Sequence, residues 1–366
     1  MKLPYESKQL LEPIPPILVA AQKFAGAEGL HFFGVSNLNV SRDFQWYQEW
    51  IDESRNGTME WMKNHLKIRE NPELLLANAQ AALSFGFPYS LGDRWSLGSD
   101  DGPRIAQYAR LKDYHKFLRL KLERVKRALE QHLSPAIFDW RITVDSAPLL
   151  ERAIVANSGG AFVGKNTCII HAEKGSFFLL GEILTSKEFH IPEKISAESR
   201  HTPRTKNGGC GTCKRCQVHC PTGALDEDYR IDARKCLSYW TIEHRGEIPL
   251  EYWPWISRYM FGCDICQLVC PYNRPGHPSP EAQSLEKIKS TPDLIAMILM
   301  DQRQYEELFG GTPMTRAKRS GLRRNALIAA IVTKDPRLDL HLERLKLDDD
   351  PVIRGTVLAS ISYFNK

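Results

Sequence analysis

The 366-residue sequence lacks most of the short motifs that announce an enzyme's chemistry. It has no G-x-G-x-x-G dinucleotide loop, no P-loop, no Ser, His and Asp in hydrolase order and no flavin signature. It also lacks a long apolar run. The longest, LLLANAQAALSFGF at 74–87, is too short and too polar to cross a bilayer. MKLPYESKQLLEP at the start has no basic stretch leading into an apolar one, so no secretory signal is expected and the cytoplasm is the expected compartment. Charge of one sign is scarce too. Forty-nine Lys and Arg against 44 Asp and Glu leave only +5, so any polyanion partner must be met by local patches. Cysteine is not spread as in a disulfide scaffold: eight of the nine lie between Cys210 and Cys270. With 42% hydrophobic residues the chain buries an ordinary core and needs no metal as a staple.

What is present is a cysteine grammar. Residues 210–221 read CGTCKRCQVHCP, in C-x2-C-x2-C-x3-C-P spacing, and GCDICQLVCP at 262–271 nearly repeats it with one cysteine fewer. In two-cluster ferredoxins the first three cysteines of such a run bind one [4Fe–4S] cube and the fourth crosses to the other. That rule assigns Cys210, Cys213, Cys216 and Cys270 to one cube, and Cys220, Cys263 and Cys266 to the second. The missing ligand is Cys236 or Cys168. We assign Cys236, in the loop between the runs, because Cys168 sits in an apolar, strand-like stretch. Two four-cysteine zinc sites are the competing reading, disfavoured because zinc ribbons rarely use this spacing. Such cubes pass single electrons, so the catalytic chemistry must lie elsewhere in the chain.

The rest divides into three expected parts. Residues 1–200 form a mixed α/β (α+β) domain, with a helical stripe at Leu111, Leu118, Leu122, Val125 and Leu129 and strands near 81–85, 141–145, 166–170 and 176–184. Residues 201–278 form a ferredoxin-like two-cluster domain. Residues 279–366 form a C-terminal helical domain. Its helices at 320–332, 338–347 and 351–364 look like a HEAT-like repeat; one unit is too little to stand alone. The last helix carries Ile353, Val357, Ile361 and Phe364 on one stripe. Residues 110–127 hold nine basic side chains, counting His115, against Asp113 and Glu123, and TRAKRSGLRRN at 315–325 is a second basic run. Either run alone is ordinarily a solvated helix face. Two together point towards nucleic acid.

Several stretches in order resemble the epoxyqueuosine reductase family, cobalamin-dependent iron–sulfur enzymes related to reductive dehalogenases. They are GTMEWMKNH (57–65) with IRENPELLL (68–76), IAQYARLKDYHKFL (105–118), TVDSAPLLERA (143–153), VGKNTCII (163–170), GSFFLLGEILT (175–185), both cysteine runs, KCLSYWTIEHRG (235–246) and RRNALIAAI (323–331). NSGGAFVGKNT departs from the family's glycine spacing. The resemblance implies reduction of epoxyqueuosine to queuosine at the wobble position of a tRNA anticodon. It also implies a base-off cobalamin, an external electron donor of flavodoxin or ferredoxin type, and a monomer outside any membrane. The D-x-H-x-x-G box for a histidine ligand to cobalt is missing, since Asp113-Tyr114-His115 has no glycine after it.

By the same resemblance Asp145 is the expected proton donor, kept protonated by burial beside the corrin. An aspartate before S-x-P is otherwise a helix cap. Arg69, Tyr108, Lys165, Asn166, Thr167, Ser238 and Asp264 are implied as corrin contacts alongside Asp145. Tyr239 and Trp240 are candidates for stacking on the substrate base. Lys214, Arg215, Arg245, Arg316, Lys318, Arg319, Arg323 and Arg324 are candidates for contact with tRNA phosphates. A corrinoid dehalogenase of small organohalides is the alternative within this chemistry, and a non-catalytic iron–sulfur electron-transfer or RNA-binding protein is the alternative outside it.

Overall fold

The computed structural model describes residues 16–94, 102–135, 138–189, 209–273 and 278–364. Helix α1 (Pro16–Ala27) leads to strand β1 (His31–Asn37), helices α2 (Ser41–Asp52) and α3 (Leu66–Glu70), and strand β2 (Ala81–Pro88). Strand β3 (Arg104–Ile105) precedes the long α4 (Tyr114–Leu133). Then come β4 (Trp140–Thr143), α5 (Glu151–Asn157), β5 (Phe162–Val163), β6 (Ile169–Ile170) and β7 (Phe178–Thr185). The main sheet runs β1-β2-β7-β4, every pair antiparallel. The N-terminal part is therefore α+β.

Alternation along β2 places two cores. Leu83, Phe85 and Phe87 face α1 and the Leu118, Leu122, Val125 and Leu129 stripe of α4. Ala82 faces Leu75, Ala153 and Ile154 on the other side. This two-sided burial is why β1, HFFGVSN, escaped the sequence reading: six of its seven residues are buried, and no polar face marks the period. The strand expected at 166–170 shrinks to Ile169–Ile170, because Thr167 takes φ +63° and turns the chain.

The cysteine segment holds helices α6 (Arg215–Val218) and α7 (Trp253–Ile256), strand β8 (Tyr259–Phe261) and helix α8 (Ile265–Leu268). β8 pairs in parallel with β3 and ties this segment to the N-terminal part. Helix α9 (Pro280–Leu285) returns Ala282 to the core under α4. The expected cut at 200/201 lies outside the described residues, and the one at 278/279 precedes a helix that packs back on the N-terminal core. Helices α10 (Leu294–Leu299), α11 (Gln302–Phe309), α12 (Lys318–Thr333), α13 (Leu342–Lys346) and α14 (Pro351–Phe364) complete the chain. They share one core with Leu237, Trp253, Ile256 and Phe261 of the cysteine segment. The stripe of α14 runs out of that core: Ile353 and Val357 are buried, whereas Ile361 and Phe364 are more than half exposed. Among the described residues no helix is long and apolar enough to cross a membrane.

Both basic runs are put largely to internal use. Arg110 makes two bonds of 3.0 Å to Asp93. Lys121 pairs with Glu281, and Arg124 with Glu28. Arg323 and Arg324, expected at phosphates, are buried instead. Arg323 holds the Ile298 carbonyl at 2.7 Å and pairs with Asp348. Arg324 donates to the carbonyls of Trp240 (2.8 Å), His244 (2.9 Å) and Gly246 (2.6 Å). Residues 239–243 are wound as a π-helix that ends at His244, and carbonyls left over at its end need donors from outside. Burial pulls the Arg324 guanidinium down to about 9. Arg324→Ala would strand three carbonyls, at a cost of about 1–3 kcal/mol for each one left unsatisfied. It should lower the thermal midpoint by several degrees, whereas exposed Lys318→Ala should leave it unchanged; paired thermal melts check this.

Candidate functional site

The cysteines gather in two sets. Cys210, Cys213, Cys216 and Cys270 line one cavity of about 460 Å³, closed by Lys165, Asn166 and Tyr272. The Lys165 amide donates to Cys210 Sγ at 3.3 Å. Cys220, Cys236 and Cys263 lie within electrostatic reach of one another, and Cys266 lies within reach of Cys236 and Cys263. Backbone amides of Ser238 and Tyr239 and the Ser238 hydroxyl point at the Cys236 sulfur. Burial nonetheless raises the Cys236 thiol, and these donors, which favour the thiolate that binds iron, offset only part of that. Cys168 is partly buried beside Cys266, with Cys270 also in reach. A strand-like stretch thus brings its thiol to the seam between the sets.

Asp145 sits at the end of β4 with φ +54°, a left-handed conformation that aspartate tolerates better than most residues. It does not cap α5, which starts at Glu151 with Leu150 as its N-cap. Instead the Asp145 amide donates to Glu151 Oε1 at 2.7 Å. Its carboxylate meets His115 Nε2 at 2.9 Å, and His115 Nδ1 meets Asp113 Oδ1 at 2.7 Å. Asp113 also caps α4 by accepting the His115 amide at 3.0 Å. With a carboxylate at each nitrogen, the ring is held as an imidazolium that donates both ways. Neither nitrogen is left for a metal.

Electrostatics corrects the expected protonation. Burial pushes the Asp145 carboxyl up. The His115 bond and charge, the Tyr114 hydroxyl and Arg316 outweigh it, so the group lies below its ordinary value. The bond to Asp145, opposed by burial and aided by Asp113, lifts His115 to about 9. Behind them burial and the Asp145 charge raise Glu151 to about 8. Glu182, which accepts the Thr143 hydroxyl at 3.0 Å, is raised further by its full burial. At neutral pH Asp145 is therefore a carboxylate flanked by two proton carriers. His115 and Glu151 were missed as site residues. In the sequence the D-Y-H triplet reads only as an incomplete cobalt box, and no local pattern links position 115 to position 145.

The other candidates divide. Tyr108 joins the two halves of the site: after burial, the charges that raise its hydroxyl include Asp264, next to Cys263, and Asp145. Asp264 is buried and accepts the Gln107 amide at 2.8 Å. Arg69 is buried, stands 5.4 Å from the Tyr47 ring centroid and leaves its Nε without a partner. Lys165 is committed to Asp228 at 2.9 Å, Asn166 to the Cys266 carbonyl at 3.2 Å and Thr167 to Arg152. The first two line the cysteine cavity. Tyr239, expected to stack on substrate, is buried, and its hydroxyl is engaged by Thr58. Trp240 packs among Tyr239, His244 and Tyr252. Arg215 borders the cysteine cavity, and Lys214 beside it is exposed. Arg319 holds the Met300 carbonyl at 3.0 Å, Arg245 the Arg316 carbonyl at 2.8 Å, and Arg316 pairs with Glu243. Lys318 is exposed and makes no ion pair among the described residues.

Two family models match: one described as a 4Fe-4S double cluster binding domain over residues 209–273, and one described as epoxyqueuosine reductase QueG, DUF1730, over residues 69–146. The chain is 35% identical to the epoxyqueuosine reductase of Xanthomonas campestris pv. campestris, over 96% of this chain and 97% of that one. A crystal structure of an epoxyqueuosine reductase with an epoxyqueuosine-modified tRNA-Tyr stem loop superposes with a TM-score of 0.78. It is 26% identical and covers 94% of this chain and 89% of that one. The enzyme from Bacillus subtilis, solved with the loop of its catalytic aspartate swung out of the active site, gives a TM-score of 0.74. It is also 26% identical, with the same coverage of 94% and 89%.

The imidazolium–carboxylate pair has a pH signature. His115, raised to about 9, contributes stability fully below the ordinary histidine value and loses it as pH rises through about 9. Asp145, held low, contributes above the ordinary aspartate value and loses it on acidification. NMR titration of the His115 ring should show a midpoint near 9 that falls towards the ordinary value in Asp145→Asn. A midpoint near 6.5 in the unaltered protein would contradict the pairing.

Proposed function

The chain belongs to the epoxyqueuosine reductase family, and on that premise we propose that it reduces epoxyqueuosine to queuosine at the wobble position of tRNA anticodons. Loss of the epoxide oxygen as water takes two electrons and two protons. The chain carries a double-cluster domain for the electrons. We assign Cys210, Cys213, Cys216 and Cys270 to one [4Fe–4S] cluster and Cys220, Cys236, Cys263 and Cys266 to the other. Cysteine thiolates in sets of four are the donors such clusters take. The second set includes Cys263, whose neighbour Asp264 accepts the Gln107 amide beside Tyr108, so electrons from a flavodoxin- or ferredoxin-type donor enter at the first cluster and leave through the second.

The residues also fit a corrinoid. The buried, unpartnered Nε of Arg69 and Nε2 of Gln107 are donors in search of an acceptor, as the amide-fringed edge of cobalamin provides. Arg69, Tyr108, Asp145 and Asp264 would line the group, with Lys165, Asn166, Thr167 and Ser238 behind it against the clusters. Bound there, cobalamin supplies a one-electron centre able to engage the epoxide. Asp145 delivers the proton to the departing oxygen. Because it rests as a carboxylate, it first takes that proton from His115, which then recharges from solvent through its exposed side. Glu151 holds the Asp145 turn in place and keeps a second proton next to it.

The observation that carries the reading is the His115–Asp145 contact of 2.9 Å on the same stretch of chain whose Gln107 amide binds Asp264, the neighbour of Cys263, at 2.8 Å. We read the chain as three cooperating parts, 1–200, 201–278 and a HEAT-like 279–366, working as a cytoplasmic monomer. Reduced, reconstituted protein given epoxyqueuosine-bearing tRNA should yield a nucleoside lighter by one oxygen in mass spectrometry; an unchanged mass would refute the proposal. Asp145→Asn should retain both clusters and bound corrinoid while turnover falls about 10²–10⁴-fold, the usual worth of a general acid. Cys236→Ala should lose one cluster's worth of iron, and Cys168→Ala should lose none.

A further inference from the structure

Trp61 is 45% exposed although its loop is firmly held. The Tyr239 hydroxyl accepts the Thr58 amide at 3.0 Å and meets the Thr58 hydroxyl at 2.9 Å. Tyr47 donates to the Met62 carbonyl at 2.5 Å, and Asn56 to that of Met59 at 3.3 Å. Gly57, at φ +59°, lies so close to the Tyr239 ring that a Cβ would come within 2.7 Å of it. The indole is thus presented on a rigid loop, and its exposure is not fraying.

One face of the indole lies under the Arg316 guanidinium, whose central carbon is 5.3 Å from the ring centroid. Arg316 is itself clamped: Nε and Nη2 each reach a Glu243 carboxylate oxygen at 2.9 Å, and its carbonyl takes the Arg245 side chain at 2.8 Å. The charge of Arg316 bears on both Asp145 and Tyr108. The turn that carries Arg316 packs on the turn that carries Tyr108, and just before it the Gly311 carbonyl accepts the Asp113 amide at 2.8 Å, so the exposed ring stands beside the segment that holds His115 and Asp145. Exposed Lys318 follows Arg316 by two residues, and exposed Arg245 is bonded to the Arg316 carbonyl.

We propose that Trp61 is a stacking platform for an unpaired base of the anticodon loop adjoining the one that enters the cleft, with Arg316 as the backing of the platform. This rests on the tRNA reading above. A base needs only a flat aromatic face to stack on, and a ring polarised by a cation on its far side is pre-set to hold one without regard to sequence. The role assigned from sequence to Tyr239 thereby passes to Trp61, and Tyr239 becomes the post that holds the Trp61 loop.

The test uses the cluster-loaded protein and a modified stem-loop RNA, with affinity read by fluorescence anisotropy. Trp61→Ala should weaken binding about tenfold or more, and Trp61→Phe should restore most of it. Removing the base next to the modified nucleotide should cost the unaltered protein a similar factor and cost Trp61→Ala almost nothing further, since both changes delete one contact. Iron content and the His115 titration should be the same in all variants. Equal RNA affinity in Trp61→Ala, or equal abasic losses in both proteins, overturns the inference while leaving the function intact. Trp61→Ala that alters only oligomeric state makes the ring a protein contact and overturns it too. Failure of the unaltered protein to bind the stem loop overturns the inference and the tRNA reading together. Should Trp61→Ala not fold, Trp61→Phe and the abasic series on the unaltered protein still decide.

Discussion

The contact between His115 and Asp145 is the constraint around which the active region is arranged. It joins the first turn of α4 to the end of β4, and it holds only while Asp113 fixes the ring from behind and Glu151 ties the Asp145 amide from below. A left-handed aspartate is a modest local cost. It persists here because helix, strand and carboxylate all converge on the same turn. The consequence is chemical. The Asp145 carboxylate, still open to solvent on one side, is held against a ring that carries the positive charge on imidazole.

The rest of the architecture holds that turn against the cysteine segment. β3 pairs with β8 immediately before Cys263, and Gln107, just after β3, donates its amide to Asp264. Tyr108 therefore has almost no freedom between the cluster side and the acid side of the site. On the far side, Arg324 and Asn325 bind carbonyls around residues 240–246 and at Met260, so the C-terminal helices brace the same segment. A basic run that sequence alone would send to a polyanion is consumed in this bracing. The face left for RNA is smaller and more aromatic than charge counting suggests.

Most of the electron-transfer chemistry was legible in the chain. Cysteine spacing is local, and a C-x2-C-x2-C-x3-C-P run specifies ligands with little help from the fold. Asp145 also stood out as a candidate, through the stretch around it. His115 and Glu151 were not, because pairing across thirty residues has no linear signature. Arg323 and Arg324 were misread for a related reason: exposure is not a property of an arginine but of the face of the helix that carries it. The same applies to Tyr239 and Trp61, two aromatics whose roles depend only on which one the neighbouring loops cover.

The sequence by itself determined the kind of protein, a reductase of one family with a double-cluster cysteine segment, because those signals are residue types at short, fixed intervals. Only the tertiary structure decided where the proton rests, which cations are free and which ring is open to a base. Each of these depends on burial and on partners brought from distant parts of the chain, and free energies of ionisation and solvation are set by those surroundings rather than by the residue's neighbours in sequence.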